Sequence, residues 1–250
     1  MAVPSKQYGL IGYPLGHSFS KTYFTDKFQQ EGIGDCVYSL FPLASIDEFP
    51  SLLKSYPSLR GLNVTIPYKE QVLKYVHELS DEVKSIGAAN CLSIKNNVIT
   101  AHNTDITGFQ ESFCRFLQPE HTKALILGTG GASKAIQYVL DKIGISYLIV
   151  SRNGGSSGKV IAYDQLSSSI MQEYTVIINC SPVGMYPADQ LCPAIPYHLL
   201  TPYHYLYDLV YKPALTLFLQ KGKDKKATTV NGYEMLLIQA EESWRIWNTV

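Results

Sequence analysis

The sequence predicts an α/β fold in two parts, the second of them a nucleotide-binding βαβ arrangement. Three observations carry that prediction. Residues 124–133 run from an apolar stretch through Gly128-Thr129-Gly130-Gly131 into a helical pattern. Residues 7–105 alternate short apolar runs with helix-like periodicity. With 250 residues and 46% hydrophobic content, the chain can bury one large core or two modest ones.

Taken in order, strands are expected at residues 8–12, 36–41, 61–65, 91–95 and 98–101. Asn96-Asn97 forms a two-residue hairpin turn between the last two. The stretch Asn63-Val64-Thr65-Ile66-Pro67-Tyr68-Lys69 ends the third strand. Pro67 fixes its own φ and biases Ile66 towards an extended conformation, so pairing stops there. Lys69 follows in the turn. Alone it reads as a solvated charge, yet a partly desolvated ammonium suits proton transfer at a carbonyl or alcohol. His102-Asn103-Thr104-Asp105 precedes a helix bearing Phe109, Phe113, Phe116 and Leu117. Thr104 or Asp105 is compatible with a plain N-cap role there.

The glycine segment has its full context. Ala135, Ile136, Val139, Leu140 and Ile143 mark one helix face, Gly144 caps the C-terminus, and residues 145–150 form the next strand. Gly128 permits a tight turn and Gly130 lets the backbone approach a pyrophosphate. The helix N-terminus beyond offers free N–H groups and the positive dipole end. Ser133 stands where a third small residue is needed. NAD sites place an acid about twenty residues after the first glycine, to hold the ribose 2′-hydroxyl. Here Ser151-Arg152-Asn153 stands instead, and an arginine pairs with a 2′-phosphate, which favours NADP over NAD. The other reading of Arg152 is an exposed loop residue, since Gly154-Gly155-Ser156-Ser157-Gly158 is a flexible loop.

Further strands are expected at 174–180 and 205–210. The final stretch, 233–247, is an amphipathic helix with Leu236, Leu237, Ala240, Trp244 and Trp247 on one stripe. Lys221 to Lys226 reads as a basic solvated turn.

Composition narrows the function. Lys+Arg 21 balances Asp+Glu 21, so no polycation for nucleic acid and no basic membrane face is expected. The start of the chain lacks a signal-type apolar region, and no apolar run reaches the about 18 residues a membrane span needs. Five scattered cysteines without a C-x-x-C pair argue against zinc or a disulfide framework, and for reduced thiols in the cytoplasm. The histidines show no metal-ligand spacing. His17 beside Ser18 has no G-x-S-x-G context, so a loop histidine is expected there.

Eight signatures run in order along almost the whole chain. They are Gly12-Tyr13-Pro14-Leu15-Gly16-His17-Ser18-Phe19-Ser20, Gly61-Leu62-Asn63-Val64-Thr65-Ile66-Pro67-Tyr68-Lys69, Gly87-Ala88-Ala89-Asn90 and Asn103-Thr104-Asp105. The glycine turn, Ile178-Asn179-Cys180-Ser181-Pro182-Val183-Gly184-Met185, Asp208-Leu209-Val210-Tyr211 and Gly232-Tyr233-Glu234-Met235-Leu236 complete them. In these the chain resembles the shikimate dehydrogenase family. The resemblance implies reversible, NADPH-dependent reduction of 3-dehydroshikimate to shikimate, a step of aromatic amino-acid biosynthesis. It implies a substrate domain at residues 1–106 and 230–250, a Rossmann NADP-binding domain at 107–229, and a terminal helix returning to the first domain.

By the same resemblance, Ser18 and Ser20 match hydroxyls that bind the substrate carboxylate, and Thr65 and Asn90 match contacts to the ring. Lys69 matches the proton donor to the C3 oxygen, and Asp105 its substrate-binding partner. Tyr211 and Gln239 match two more substrate contacts. Gly128, Thr129, Gly130, Gly131 and Ala132 match the phosphate-binding turn, with Ser151, Arg152 and Asn153 at the 2′-phosphate. Leu209 and Gly232 match backbone contacts near the nicotinamide. Asp81 matches a position near the cofactor, or is simply an exposed helix acid.

The chain departs from the family pattern at Lys21-Thr22-Tyr23-Phe24, at Ser151 and Asn153 around the arginine, and in a trimmed segment near 154–173. The implied partner is a small-molecule substrate, with no nucleic acid, no membrane, and a monomer or homodimer as the assembly. A quinate- or shikimate-type dehydrogenase using NAD, and a non-catalytic NADP- or ligand-sensing homologue, remain as alternatives.

Overall fold

A computed structural model describes residues 5–16, 18–155 and 158–249. His17, Ser156, Ser157 and the first four residues, all touched on by the sequence reading, lie outside the described residues. The chain divides into two compact units: the residues up to Thr104 together with those from Ala240 onward, and Asp105–Gln239.

The first unit runs β1 (Lys6–Gly12), α1 (Phe19–Gln30), β2 (Cys36–Pro42), α2 (Phe49–Ser55), β3 (Leu59–Val64), β4 (Glu78–Leu79), α3 (Asp81–Ile86), β5 (Cys91–Lys95) and β6 (Val98–His102). These strands form one sheet in the order β2-β1-β3-β5-β6-β4. β1 pairs in parallel with β2 and β3, whereas β3, β5 and β6 pair antiparallel. The β5–β6 hairpin turns at Asn96 and Asn97, with φ of 49° and 63°, as its two-residue length requires.

Alternation of side chains across the strands gives the sheet an apolar cluster on each face. One gathers Ile11, Phe41, Phe49, Leu62, Val64, Val72 and Leu92. The other gathers Tyr8, Phe24, Phe28, Tyr38 and Cys91 around Trp247. β3 stops at Val64, two residues before the Ile66–Pro67 peptide, where the proline was expected to end pairing.

The second unit runs α4 (Asp105–Cys114), β7 (Lys123–Leu127), α5 (Gly131–Lys142), β8 (Ser146–Ser151), β9 (Val160–Ala162), α6 (Ser168–Glu173), β10 (Val176–Asn179), β11 (Tyr205–Asp208), α7 (Leu217–Asp224) and β12 (Thr228–Asn231). Its sheet is parallel throughout, in the order β12-β11-β10-β7-β8-β9. Read from the β9 edge and numbered within the unit this is 3-2-1-4-5-6, the doubly wound Rossmann order. The apolar runs of β7, β10 and β11 are buried on both faces, as helices on either side of a parallel sheet require. The last helix, α8 (Tyr233–Asn248), starts in this unit and finishes in the first.

Two expectations need correction. α4 ends at Cys114, so Phe116 and Leu117 lie beyond the helix and Phe116 is exposed. Most of the 221–226 stretch is the last turn of α7 rather than a turn. Thr216 caps that helix by accepting from the Leu219 N–H, Phe218 and Leu219 bury its inner face, and the lysines sit at its negative end. Among the described residues no helix is long and apolar enough to cross a membrane.

Candidate active site

In the first unit the candidate residues cluster on three segments that leave the same end of the sheet. Thr65 follows β3, and its N–H bonds the Ile11 carbonyl at 3.0 Å. Gly12 permits this approach, because a Cβ there would overlap the Thr65 methyl and lie 3.0 Å from the Ile66 carbonyl. Lys69 lies in the turn after β3, half-buried, and its carbonyl accepts from the Ala89 N–H at 2.8 Å. That bond fixes the Lys69 main chain beside Asn90. Gly87, with φ of 66°, ends α3 in the left-handed conformation and lets the chain turn into this loop.

Asn90 is buried in a network of side-chain hydrogen bonds. Its Oδ1 accepts from the Thr104 N–H at 2.7 Å, and its Nδ2 donates to Thr104 Oγ1 at 3.0 Å. Thr104 Oγ1 lies 3.3 Å from Ser243 Oγ, which in turn accepts from Asn63 Nδ2 at 2.9 Å. Asn63 Oδ1 accepts from the Tyr38 hydroxyl at 2.8 Å. Burial holds the Tyr38 hydroxyl well above the ordinary tyrosine range, opposed by a hydrogen bond with Ser20. Ser18 is the N-cap residue of α1 and Ser20 lies in its first turn, both half-buried. A polar chain therefore links Tyr38 to Asn90 inside an apolar unit, and such a network orients its members when every donor has an acceptor. Asp81 is an exposed acid at the start of α3, paired with Lys84 at 2.7 Å.

In the second unit, Asp105 opens α4 and is buried, as is Gln239 on α8. A Cβ on Gly108 would lie 2.6 Å from the Met235 carbonyl and 3.1 Å from Gln239 Cβ, so α4 and α8 meet at close range. The three-residue spacing from Asp105 to Gly108 puts the acid on the helix face that meets Gln239. Leu209 and Gly232 are brought together as well: a Cβ on Gly232 would overlap the Leu209 carbonyl, and Gly232 N–H bonds Val210 O at 3.3 Å. Tyr211, half-buried, follows directly, and its hydroxyl is pushed up by burial.

The glycine turn follows β7. Gly128 has φ of 114°, a conformation open to glycine, and a Cβ there would sit at ordinary contact distance from the Cys180–Ser181 backbone. Gly130 is the N-cap residue of α5, and a Cβ there would meet nothing within 4 Å. The amides of Gly131 and Ala132 begin a twelve-residue helix and have no acceptor within it, which leaves an anion-binding end open to approach. Ser133 is fully buried and accepts from Gln137 Nε2 at 3.0 Å, so it fills the third small-residue position.

At the end of β8 the Ser151 hydroxyl donates to the Gly154 carbonyl at 2.9 Å, closing the loop, while Arg152 and Asn153 are exposed. No acid stands at these three positions. These features fit a dinucleotide, and the arginine suits one carrying a 2′-phosphate.

Sequence reasoning gave no role to the buried carboxylate of Asp208. It sits at the last position of β11, where Oδ1 accepts from Asn179 Nδ2 at 2.9 Å and Val210 N–H at 3.0 Å. Oδ2 accepts from Thr216 Oγ1 at 2.6 Å. Burial raises its pKa to about 6. The available signal was an acid ending an otherwise apolar strand.

A glycine turn at the carboxyl edge of a 3-2-1-4-5-6 sheet defines a Rossmann-type dinucleotide-binding protein with a second α/β unit. Residues 10–92 match the family model of the shikimate dehydrogenase substrate binding domain. The NADP(+) shikimate dehydrogenase of Carboxydothermus hydrogenoformans is 33% identical over 98% of this chain and 92% of its own. That of Ignicoccus hospitalis is 34% identical over 96% of this chain and 92% of its own. The chain belongs to the shikimate dehydrogenase family.

Solved structures agree. Shikimate 5-dehydrogenase from Thermus thermophilus, in complex with NADP(H) and shikimate, superposes with a TM-score of 0.84 at 26% identity, over 98% of this chain and 94% of that one. A chorismate mutase/shikimate 5-dehydrogenase fusion protein from Clostridium acetobutylicum gives 0.86 at 34% identity, over 98% and 91%.

Proposed function

We propose that this protein is an NADP-dependent shikimate dehydrogenase that reduces 3-dehydroshikimate to shikimate reversibly, with Lys69 as the proton donor. The observation that carries this reading is the placement of Lys69. Its main chain is tied to the Ala89–Asn90 loop, whose asparagine is itself held by Thr104.

Ser18 and Ser20, at the start of α1, bind the substrate carboxylate. Thr65 and Asn90 hold ring hydroxyls, and Asp105, Gln239 and Tyr211 supply further polar contacts. Lys69 Nζ gives a proton to the C3 oxygen as the carbonyl becomes an alcohol, and takes it back when shikimate is oxidised. Asp81, paired with Lys84, is assigned no catalytic part.

The amides after Gly130 would hold the pyrophosphate, and Arg152 with Asn153 the 2′-phosphate. Leu209 and Gly232 would line the nicotinamide end through their backbones. Bound NADPH supplies the hydride.

The test is loss of reduced-cofactor absorbance on adding 3-dehydroshikimate, run in parallel with NADPH and NADH. Oxidation of NADPH well ahead of NADH is expected. Failure of both cofactors to react, with NADPH binding intact, would overturn the reading.

A further inference from the structure

We propose that Asp208 is a positioning residue for the reaction, fastening the loops at the carboxyl edge of the second sheet so that Leu209, Tyr211 and Gly232 are held in register. The inference rests on the dehydrogenase reading for its assay, and on geometry for its content. Asp208 accepts from three donors on three separate segments: the Asn179 side chain at the end of β10, the Val210 N–H in the loop after β11, and the Thr216 hydroxyl at the start of α7.

Each donor carries the effect further. Asn179 Oδ1 accepts from both the N–H and the hydroxyl of Ser181, at 3.1 and 2.7 Å, and its Nδ2 also reaches the Val183 carbonyl at 3.1 Å. Ser181 belongs to the backbone that Gly128 packs against. Val210 stands between Leu209 and Tyr211, and its carbonyl accepts from Gly232. Thr216 closes the loop from 209 to 216 by capping α7. One fully buried carboxylate thus ties the wall opposite the glycine turn to the loop bearing Leu209 and Tyr211.

An ionised acid is the strong form of such a hub, because bonds to a charged acceptor are roughly twice as strong as neutral ones. The titratable groups that feel its charge are Cys180, beside Asn179, and Tyr197. Both are held neutral by burial, so neither adds a like charge beside the carboxylate. Protonation of Asp208 itself, on the acid side of about 6, is therefore the event that loosens the hub.

Asp208→Asn is the informative change. The amide keeps an oxygen for Val210 and Asn179, and turns its NH2 to a Thr216 hydroxyl that can accept. The charge is lost while the shape is kept. Positioning predicts a split: kcat falls about tenfold to a hundredfold, as for small misplacements remote from the chemistry, while NADPH affinity by calorimetry changes little. NADPH is anchored elsewhere, at the glycine turn and Arg152. The wild type should also lose kcat as pH falls through about 6, and the variant should lack that limb.

Thr216→Val removes one donor and should lower kcat in the same direction, with Thr216→Ser restoring it. Equal kcat and an unchanged acid limb in Asp208→Asn would overturn the proposal. If that variant does not fold, normal kcat in Thr216→Val would do so. An inactive wild type would instead count against the dehydrogenase reading. Unchanged loop protection at Val210 and Tyr211 in Asp208→Asn, measured by amide hydrogen exchange, would then overturn the positioning role independently.

Discussion

Replacing Trp247 with alanine should unfold the first unit early, because that indole is the piece by which α8 closes its core. Trp247 is only 4% exposed. Its ring stacks on Tyr8 at 4.9 Å, leans on Phe24 at 5.3 Å and donates from Nε1 to the Leu92 carbonyl at 3.0 Å. It occupies the space that a side chain at Gly61 would fill, which is why β3 carries a glycine there.

Truncation of a buried tryptophan costs about 3–5 kcal/mol. Loss of the indole's bond to the Leu92 carbonyl adds about 1 kcal/mol. The sum, roughly 4–6 kcal/mol, is comparable to the whole stability of many domains, about 5–15 kcal/mol. With a urea slope of about 2 kcal/mol per molar, the first unit's transition should move down by ~2–3 M. Far-UV circular dichroism during urea titration reads this, and two separate transitions are expected once the units no longer unfold together. Trp247→Phe keeps a ring over Gly61 and loses only the N–H, so it should cost about 1–2 kcal/mol. An alanine variant within about 1 kcal/mol of the wild type would refute the packing argument.

Other substitutions probe the second unit. Arg152→Ala should raise the KM for NADPH far more than that for NADH, by about tenfold or more if a charge-assisted pair of about 1.5–3 kcal/mol is lost; equal changes would sink the 2′-phosphate role. Gly232→Ala should lower kcat and thermal stability together, since the new methyl collides with the Leu209 carbonyl and backbone must move to admit it; a melting temperature and turnover like the wild type would contradict that. Asp208→Asn should change how stability depends on pH. The Asp208 pKa is raised from 3.8 to about 6 by burial. Desolvation outweighs the three bonds that favour the carboxylate, so its contribution to global stability is fully present below the unfolded value and is lost as pH rises through about 6, even though the ionised acid holds its three donors more tightly. At about 1.4 kcal/mol per pK unit, the wild type gives up roughly 3 kcal/mol between pH ~4 and ~7.5 that the asparagine variant keeps. Parallel pH profiles of the two proteins in urea titration would exclude it.

Much of the fold was legible in the sequence because its strands are long apolar runs bounded by turn residues. The glycine turn, the Asn96-Asn97 hairpin and the stop at Pro67 each have one local physical cause. What was missed is short, polar or set by partners far along the chain. β9 is three half-buried residues at a sheet edge, and β12, Thr228–Asn231, hides behind a run of lysines. Those same lysines masked α7, whose buried face consists of Phe218, Leu219 and Gly222. Phe116 looked like a continuation of the α4 stripe, but the helix ends two residues earlier.

The candidate site divides in the same way. Lys69, Asn90 and the glycines were visible as motifs. The hydrogen bonds joining Tyr38, Asn63, Ser243 and Thr104 join residues up to 180 positions apart, and no local pattern announces them. Asp208 was likewise visible as a residue, while its three donors were not.

The most direct test of the account is turnover by Lys69→Ala, assayed in both directions beside direct binding of shikimate and of NADPH. Loss of a general acid should lower kcat by about 10²- to 10⁴-fold, with binding of both ligands within a few-fold of the wild type. Turnover within about tenfold of the wild type in either direction would contradict the assignment of the proton to Lys69, and with it the mechanism.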